Sequence, residues 1–315
     1  MRFPVATAAV ALVLATLPVT AQAAPSGCVW TPTALPMHDG IKRERVVGMS
    51  PDGSVAVGDG TEDGTLETRL RGLLWFGSTL VEMPNGGWGD TVDNGPNDVN
   101  NSGVVAGYTY DNDNGLSRPY RYRDGHYEWL PVPAGLDGIA TDINEAGDIA
   151  GWLLDSRGVT STILWRAGQP SVIIGAGQPI GLDDAGRVVT DQGLIWSPDG
   201  STRTIKQRRD AKPRKYANGR VIGQTRAGRE ELVEWNLDGV VTRVLPGGRL
   251  AEGINGSGVV AGSYQEPGGK SGWAIWSGGS VQFIDGYAGG ITENGIAFGE
   301  NVIAGVSRAV VFHCR

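Results

Sequence analysis

The chain is poor in the residues that build local chemistry. Of its 315 residues only two are cysteine, three histidine and four methionine. The histidines, His38, His126 and His313, have no ligand-like spacing, and no H-E-x-x-H, C-x-x-C or G-x-S-x-G occurs. No nucleophile and base can be paired. Carboxylates are plentiful, but nothing in their order marks a glycosidase pair. Strong helix patterns with capping boxes are missing as well. After residue 23 no apolar run approaches the roughly 20 residues that a spanning helix needs, so no membrane span is expected. Basic residues are not in excess. The formal net charge is −7, and a general affinity for nucleic acid, which depends on neutralising phosphates, is disfavoured.

Glycine, by contrast, supplies 50 residues, about twice its usual share of roughly 7%, and implies many tight turns. Seven times a polar-type position, two variable residues and a glycine precede a short apolar run: Ser50 to Gly53, Asn100 to Gly103, Asn144 to Gly147, Asp183 to Gly186, Tyr216 to Gly219, Asn255 to Gly258 and Thr292 to Gly295. Successive glycines are 33 to 50 residues apart, which suits four-stranded propeller blades of roughly 40 to 50 residues.

The third unit shows the pattern most clearly. Residues 138–143 form a first strand of small residues, Asn144 to Gly147 turn the chain, and residues 148–154, 161–165 and 169–174 complete the blade. Its third strand ends on Trp165, with counterparts at Trp75, Tyr122, Trp196, Trp235, Trp276 and Phe312, read as packing residues between neighbouring sheets. Tyr216 stands where other units carry a small polar turn residue. The seventh unit holds three strands, and the stretch from Trp30 to Pro36 resembles the missing outer one. The expected fold is therefore all-β, a β-propeller of seven four-stranded blades whose ring is closed by N- and C-terminal strands sharing one blade.

Residues 1–23, with Arg2, an apolar stretch and Ala21-Gln22-Ala23, read as a cleaved secretory signal, leaving residues 24–315 as a single propeller domain. In an exported protein the two cysteines, Cys28 and Cys314, are expected to pair as one disulfide across the ring closure.

Three stretches, Asp98 to Tyr108, Asp142 to Trp152 and Gly253 to Ser263, match a D-I-N-x-x-G-x-V-V-G core, and the other four units are degenerate. The chain thus resembles the HAF-type extracellular repeat of exported bacterial proteins over nearly its whole mature length. The resemblance implies a secreted, β-propeller-like array and brings no catalytic residues.

Candidate binding residues lie where the units differ. Long loops in the first two blades carry Trp88, Asp90, Asp93, Asp111 and Asp113 on one expected face, an arrangement suited to a sugar ring. The oxygen ligands there also suit Ca²⁺, although the run from Asp111 to Gly115 lacks the closing Glu of an EF-hand loop. No other cofactor and no metal ligand set is indicated. The connection between the fourth and fifth blades holds Lys206, Arg208, Arg209, Lys212, Arg214 and Lys215, a patch for an anionic partner. The leading reading is a secreted, non-enzymatic module that binds a protein or a cell-envelope glycan. The alternative is a secreted glycan hydrolase or lyase with carboxylates at the channel mouth.

Overall fold

The computed structural model describes residues 29–62, 69–85, 92–206, 211–225, 231–266 and 268–315. Short apolar runs between turn glycines can satisfy their backbone groups only by pairing with the next run, and they do so as seven four-stranded antiparallel sheets. Six blades are continuous in the chain. In the third, Asp137–Ile143 is innermost, followed outward by Ile149–Leu154, Thr160–Trp165 and Val172–Ala176. That outer strand begins three residues later than expected, after Pro170, which has no N–H to give to a ladder.

The seventh blade is shared by the two ends. Tyr287–Ile291, Ala297–Ile303 and Val306–Cys314 take Trp30–Ala34 as their outer strand. The register runs from Trp30 opposite Cys314 to Ala34 opposite Val310. Val29 and Arg315 then exchange backbone hydrogen bonds of 2.7 and 3.1 Å. Among the described residues no helix is long and apolar enough to cross a membrane.

The recurrent aromatic is buried in every blade, from Phe312 at 0% exposure to Trp196 at 5%. It faces a small or aliphatic residue on the second strand, as Trp75 faces Ala56, Trp165 faces Ile149 and Trp235 faces Val221. In these three blades the ring edge lies over a second-strand glycine. A Cβ on Gly151 would come within 2.6 Å of Trp165, and one on Gly223 within 2.7 Å of Trp235. The aromatic and the glycine of the repeat are therefore one packing unit. The core lies between blades: one cluster joins Val104 and Leu130 of the second to Ile149 and Trp165 of the third.

The polar-x-x-glycine turns join first and second strands, on the face opposite the long loops. In six of them the glycine has positive φ and its N–H bonds the carbonyl three residues back, as Gly147 does to Asn144 at 3.0 Å. The fifth is different. Its first strand runs to Ala217 and its second begins at Arg220, joined by Asn218 and Gly219 with φ of 44° and 89°, the two-residue Asn-Gly turn that matches strand twist. Tyr216 is thus a strand residue, not a turn residue. Its hydroxyl donates to Asp183 of the fourth blade at 2.5 Å.

These turns also link the blades. Asn294 N–H donates to Pro51 O, Asp52 N–H to Asn101 Oδ1, Asn101 N–H to Glu145 Oε1, and Glu145 N–H to Asp184 Oδ1. Tyr216 to Asp183, Arg220 Nε to Gly256 O and Gly256 N–H to Glu293 Oε1 complete the circuit. Every blade interface carries at least one such bond. Beneath this ring the repeat asparagine is shared between blades: Asn144 Oδ1 accepts from Asp148 N–H of its own turn, while its Nδ2 donates to Asp183 O of the next.

Asn144 is 4% exposed, and Asn144→Ala leaves the half-buried Asp148 N–H without its acceptor and removes one of the two donors to Asp183 O, which keeps Gly186 N–H. A loss of about 2 to 3 kcal/mol is expected, read as a lowered midpoint in urea unfolding. A midpoint unchanged within error would show that the bridge contributes nothing.

Candidate functional site: the axial channel

In all seven blades the innermost strand carries a β-bulge one step before its last residues. The register skips Val47, Asn97, Thr141, Ile180, Arg214, Glu252 and Gly289. Bulges bend a strand and re-aim its side chains, and here they do so at the level of the axis. The residues that follow the bulges are Gly48, Asp98, Asp142, Gly181, Lys215, Gly253 and Gly290. Neighbouring inner strands come so close that Gly48, Gly181 and Gly253 admit no side chain, while at Gly290 the Phe298 ring of the same blade fills the space. A Cβ on Gly48 would lie 2.4 Å from Asn97 O of the second blade, and one on Gly181 2.4 Å from Tyr216 O of the fifth.

Two of the three charged positions adjoin: Asp98 and Asp142 share a hydrogen bond, and the positive charge of Lys215 acts on Asp142. Each carboxylate also holds the next blade: Asp98 Oδ2 accepts from Ile143 N–H at 3.1 Å and Asp142 Oδ2 from Leu182 N–H at 2.7 Å. Burial, reinforced by the charge of Asp142, pushes the Asp98 carboxyl well above the usual carboxylate range, so the pair retains a proton. Burial raises Asp142 too, opposed by the hydrogen bonds it accepts and by Lys215. The pair borders a recess of about 160 Å³ at the turn-face mouth, walled also by Met49, Leu182, Ala217 and Ile291.

Toward the loop face the channel carries charges of both signs. Arg45, 45% exposed, donates through Nε and Nη2 to Asp59 at 2.9 and 3.1 Å. Burial raises the Asp59 carboxyl despite that ion pair. Glu252 lies in the field of Lys215 and Arg214 and bonds the Tyr287 hydroxyl, which is pushed up to about 12 by burial and by the carboxylate. Tyr108 and Asp93 of the second blade sit near Asp59.

The expected site residues are distributed unevenly. Asp93, Asp111 and Asp113 do gather at the loop-face end of the second blade, where Val92 pairs with Asp111 and Asp93 with Tyr110. Trp88 and Asp90 lie outside the described residues. Asp93 Oδ1 accepts from Leu70 N–H at 2.8 Å. The carboxylate of Asp111 is occupied by its own loop: Oδ1 accepts from Asp113 and Asn114 N–H and Oδ2 from Asn114 Nδ2. Among the described residues no three His, Cys, Asp or Glu side chains gather as a metal site.

The basic run is not one connecting loop. Lys206 precedes the stretch 207–210, which holds Arg208 and Arg209 outside the described residues. Lys212, Arg214 and Lys215 belong to the innermost strand Ala211–Ala217, where Lys212 and Arg214 are exposed and Lys215 is half-buried. A strand with alternating lysine and arginine reads as a loop because a charged inner strand makes sense only beside a polar channel. Asp98 and Asp142 are hidden as site residues in the sequence because both open the repeat motif. The signal was their variation: one motif position reads Gly, Asp, Asp, Gly, Lys, Gly, Gly around the ring.

No family model matches the chain, and no curated protein matches it. Solved structures do. An oligogalacturonate lyase in complex with manganese aligns over 92% of this chain and 94% of its own, with 10% identity and a TM-score of 0.66. The β-propeller domain of the trilobed protease from Pyrococcus furiosus covers 88% and 94%, at 10% identity and a TM-score of 0.49. A gluconolactonase from Xanthomonas campestris covers 93% and 97%, at 13% identity and a TM-score of 0.42. At such identities the first likeness shows the propeller fold and nothing about chemistry.

A carboxyl whose pKa is raised by folding favours the native state at low pH, and that advantage is lost as pH rises from the ordinary carboxylate range through the raised value. Asp98→Asn keeps a donor to Asp142 and an acceptor for Ile143 N–H without a proton to lose. Thermal melts at pH 5 and pH 9 are expected to show the variant gaining on wild type at the higher pH, by on the order of 1 kcal/mol. Equal destabilisation at both values would dismiss the shared proton.

Proposed function

We propose that this chain is an exported, non-enzymatic propeller that binds a protein or a cell-envelope glycan through its loop face, with the axial mouth as the binding surface. The observation that carries this reading is the convergence there of exposed Arg45, Lys212 and Arg214 with half-buried Tyr108, Tyr287 and Glu252, drawn from five blades. Such a set offers donors, acceptors and ring faces around a rigid frame, as recognition of a polyhydroxylated or charged ligand requires. Export and membership of the HAF-type repeat family are part of the proposal, supported by the leader-like residues 1–23 and the D-I-N cores.

The hydrolase or lyase alternative has less support. Glycosidic hydrolysis, as distinct from lyase elimination, needs two carboxyl groups about 5 to 10 Å apart with the scissile bond between them. Asp98 and Asp142 touch each other, and each is engaged by the backbone of the next blade.

A disulfide between Cys28 and Cys314 belongs to the same reading. Trp30 stands opposite Cys314 in the closing pair of strands, and among the described residues no cysteine is free. On the chain-entropy model a loop of this length stabilises by up to about 5 kcal/mol.

A cell-wall glycan array probed with wild type and with the Lys212→Ala/Arg214→Ala double variant tests the axial mouth. At least tenfold weaker signals are expected from the variant on each glycan that wild type binds, and equal signals would remove the mouth from consideration. New reducing or unsaturated ends on a bound glycan would overturn the non-enzymatic reading. Digestion of unreduced protein is expected to release the Cys28 and Cys314 peptides as one linked mass, and recovery of both with free thiols would refute the bridge.

A further inference from the structure

A second feature lies away from the axis, on the outer side between the second and third blades. A cavity of about 440 Å³ at the turn face runs past Arg121 and Glu128 into one of about 410 Å³. The latter shares Leu130 and Pro131 with a third of about 390 Å³ that opens toward the loop face. The three form one continuous groove along the rim of the second blade.

Its floor is fixed. Arg121 donates to Gly147 O of the third blade at 2.7 Å and to Glu128 at 3.2 Å. Above that floor cationic groups are spread along its length. Arg123 stands at the turn-face end, 61% exposed, and pairs among the described residues with Asp124, itself 87% exposed. Screening leaves such a pair little energy to lose to a competitor. The neighbouring His126 is exposed, with Nδ1 2.8 Å from Asp124 O; donation from that nitrogen turns Nε2 to other partners. Arg166 lines the middle cavity and makes no ion pair among the described residues. At the loop-face end the Arg118 guanidinium lies 5.1 Å from the Trp129 ring centre, and Trp129 stacks in turn on Tyr127.

The geometry points to this groove as a binding site for a linear, carboxylate-bearing glycan, a chain of uronic acid residues. Guanidinium groups suit carboxylates, and Arg118 and Trp129 both line the loop-face end of the groove. Glu128, Glu145 and Asp137 also line the groove, but Glu128 is held by Arg121 and Glu145 accepts from Asn101 N–H, whereas Arg166 makes no ion pair among the described residues. An acidic peptide fits less well. An extended peptide gains affinity by pairing with a free strand edge, and here Pro119, Pro131 and Pro170 line the groove without N–H groups to offer.

The test is titration with hexamers of mannuronate, followed by tryptophan fluorescence and calorimetry, beside their methyl esters and hexaglutamate. The wild-type protein is expected to bind the free acid at least tenfold more tightly than the ester. Arg123→Ala/His126→Ala, at two exposed positions, is expected to weaken hexamer binding at least tenfold. Arg166→Ala is expected to weaken it as well, while unfolding midpoints stay unchanged. Arg203→Ala, at an exposed position on the strand Thr202–Thr204 outside both the groove and the axial mouth, is expected to bind the hexamer as wild type does. Absence of hexamer binding, equal binding of the ester, indifference to the groove variants, or hexaglutamate binding as tightly as the uronate would each overturn the assignment.

Discussion

Everything in this molecule rests on the bonds that pass from one blade's turn to the next around the axis. A four-stranded blade buries little by itself, and its apolar faces become a core only when a neighbour is pressed against each of them. The turn side chains and N–H groups hold those neighbours in register near the axis, where small angular errors would accumulate around a closed ring. Asn144 shows the economy of the arrangement: one amide shapes its own turn with its oxygen and grips Asp183 O with its nitrogen. In the next blade the amide is replaced by Asp183, which has no donor, and the donor comes instead from Tyr216 across the interface. The polarity of the contact is reversed and the contact itself survives.

The same closeness creates the channel. Inner strands approach until Gly48 and Gly181 cannot carry a Cβ, and a bulge in each strand turns the adjoining positions toward the axis. Where the strands leave room, side chains of high solvation cost enter: Asp98, Asp142, Lys215, Glu252. They are tolerated because they neutralise one another and because backbone N–H groups from the following blade meet the two aspartates. The scaffold and the polar site are therefore one construction, and a charge in the channel is answerable both to its neighbours and to the closure of the ring.

The outer groove follows the other logic of repeat proteins, in which function gathers where repeats differ. The second blade brings Tyr120, Tyr122, Tyr127 and Trp129 into one aromatic cluster, and Pro119, Pro131 and Pro170 line the groove beside it.

The sequence by itself determined the blades. Turn glycines with positive φ, one aromatic per third strand and a leftover outer strand near Trp30 specify four-stranded units, their number and the closure, because each is a local consequence of backbone sterics or of an unpaired edge. Only the tertiary structure decided which polar residues meet. Asp98 and Asp142 are 44 residues apart and touch because adjacent blades converge at the axis, while the charge of Lys215 acts on Asp142 from the fifth blade. The run containing Lys212 and Arg214 shows the same limit from the other side, since its alternation suits a strand only if one side of that strand is wet. Local pattern records the periodicity of the chain, whereas proximity around a ring depends on how its blades are angled together. The seven polar turns carry both kinds of information: their spacing counts the blades, and the bonds they make to one another hold the ring shut.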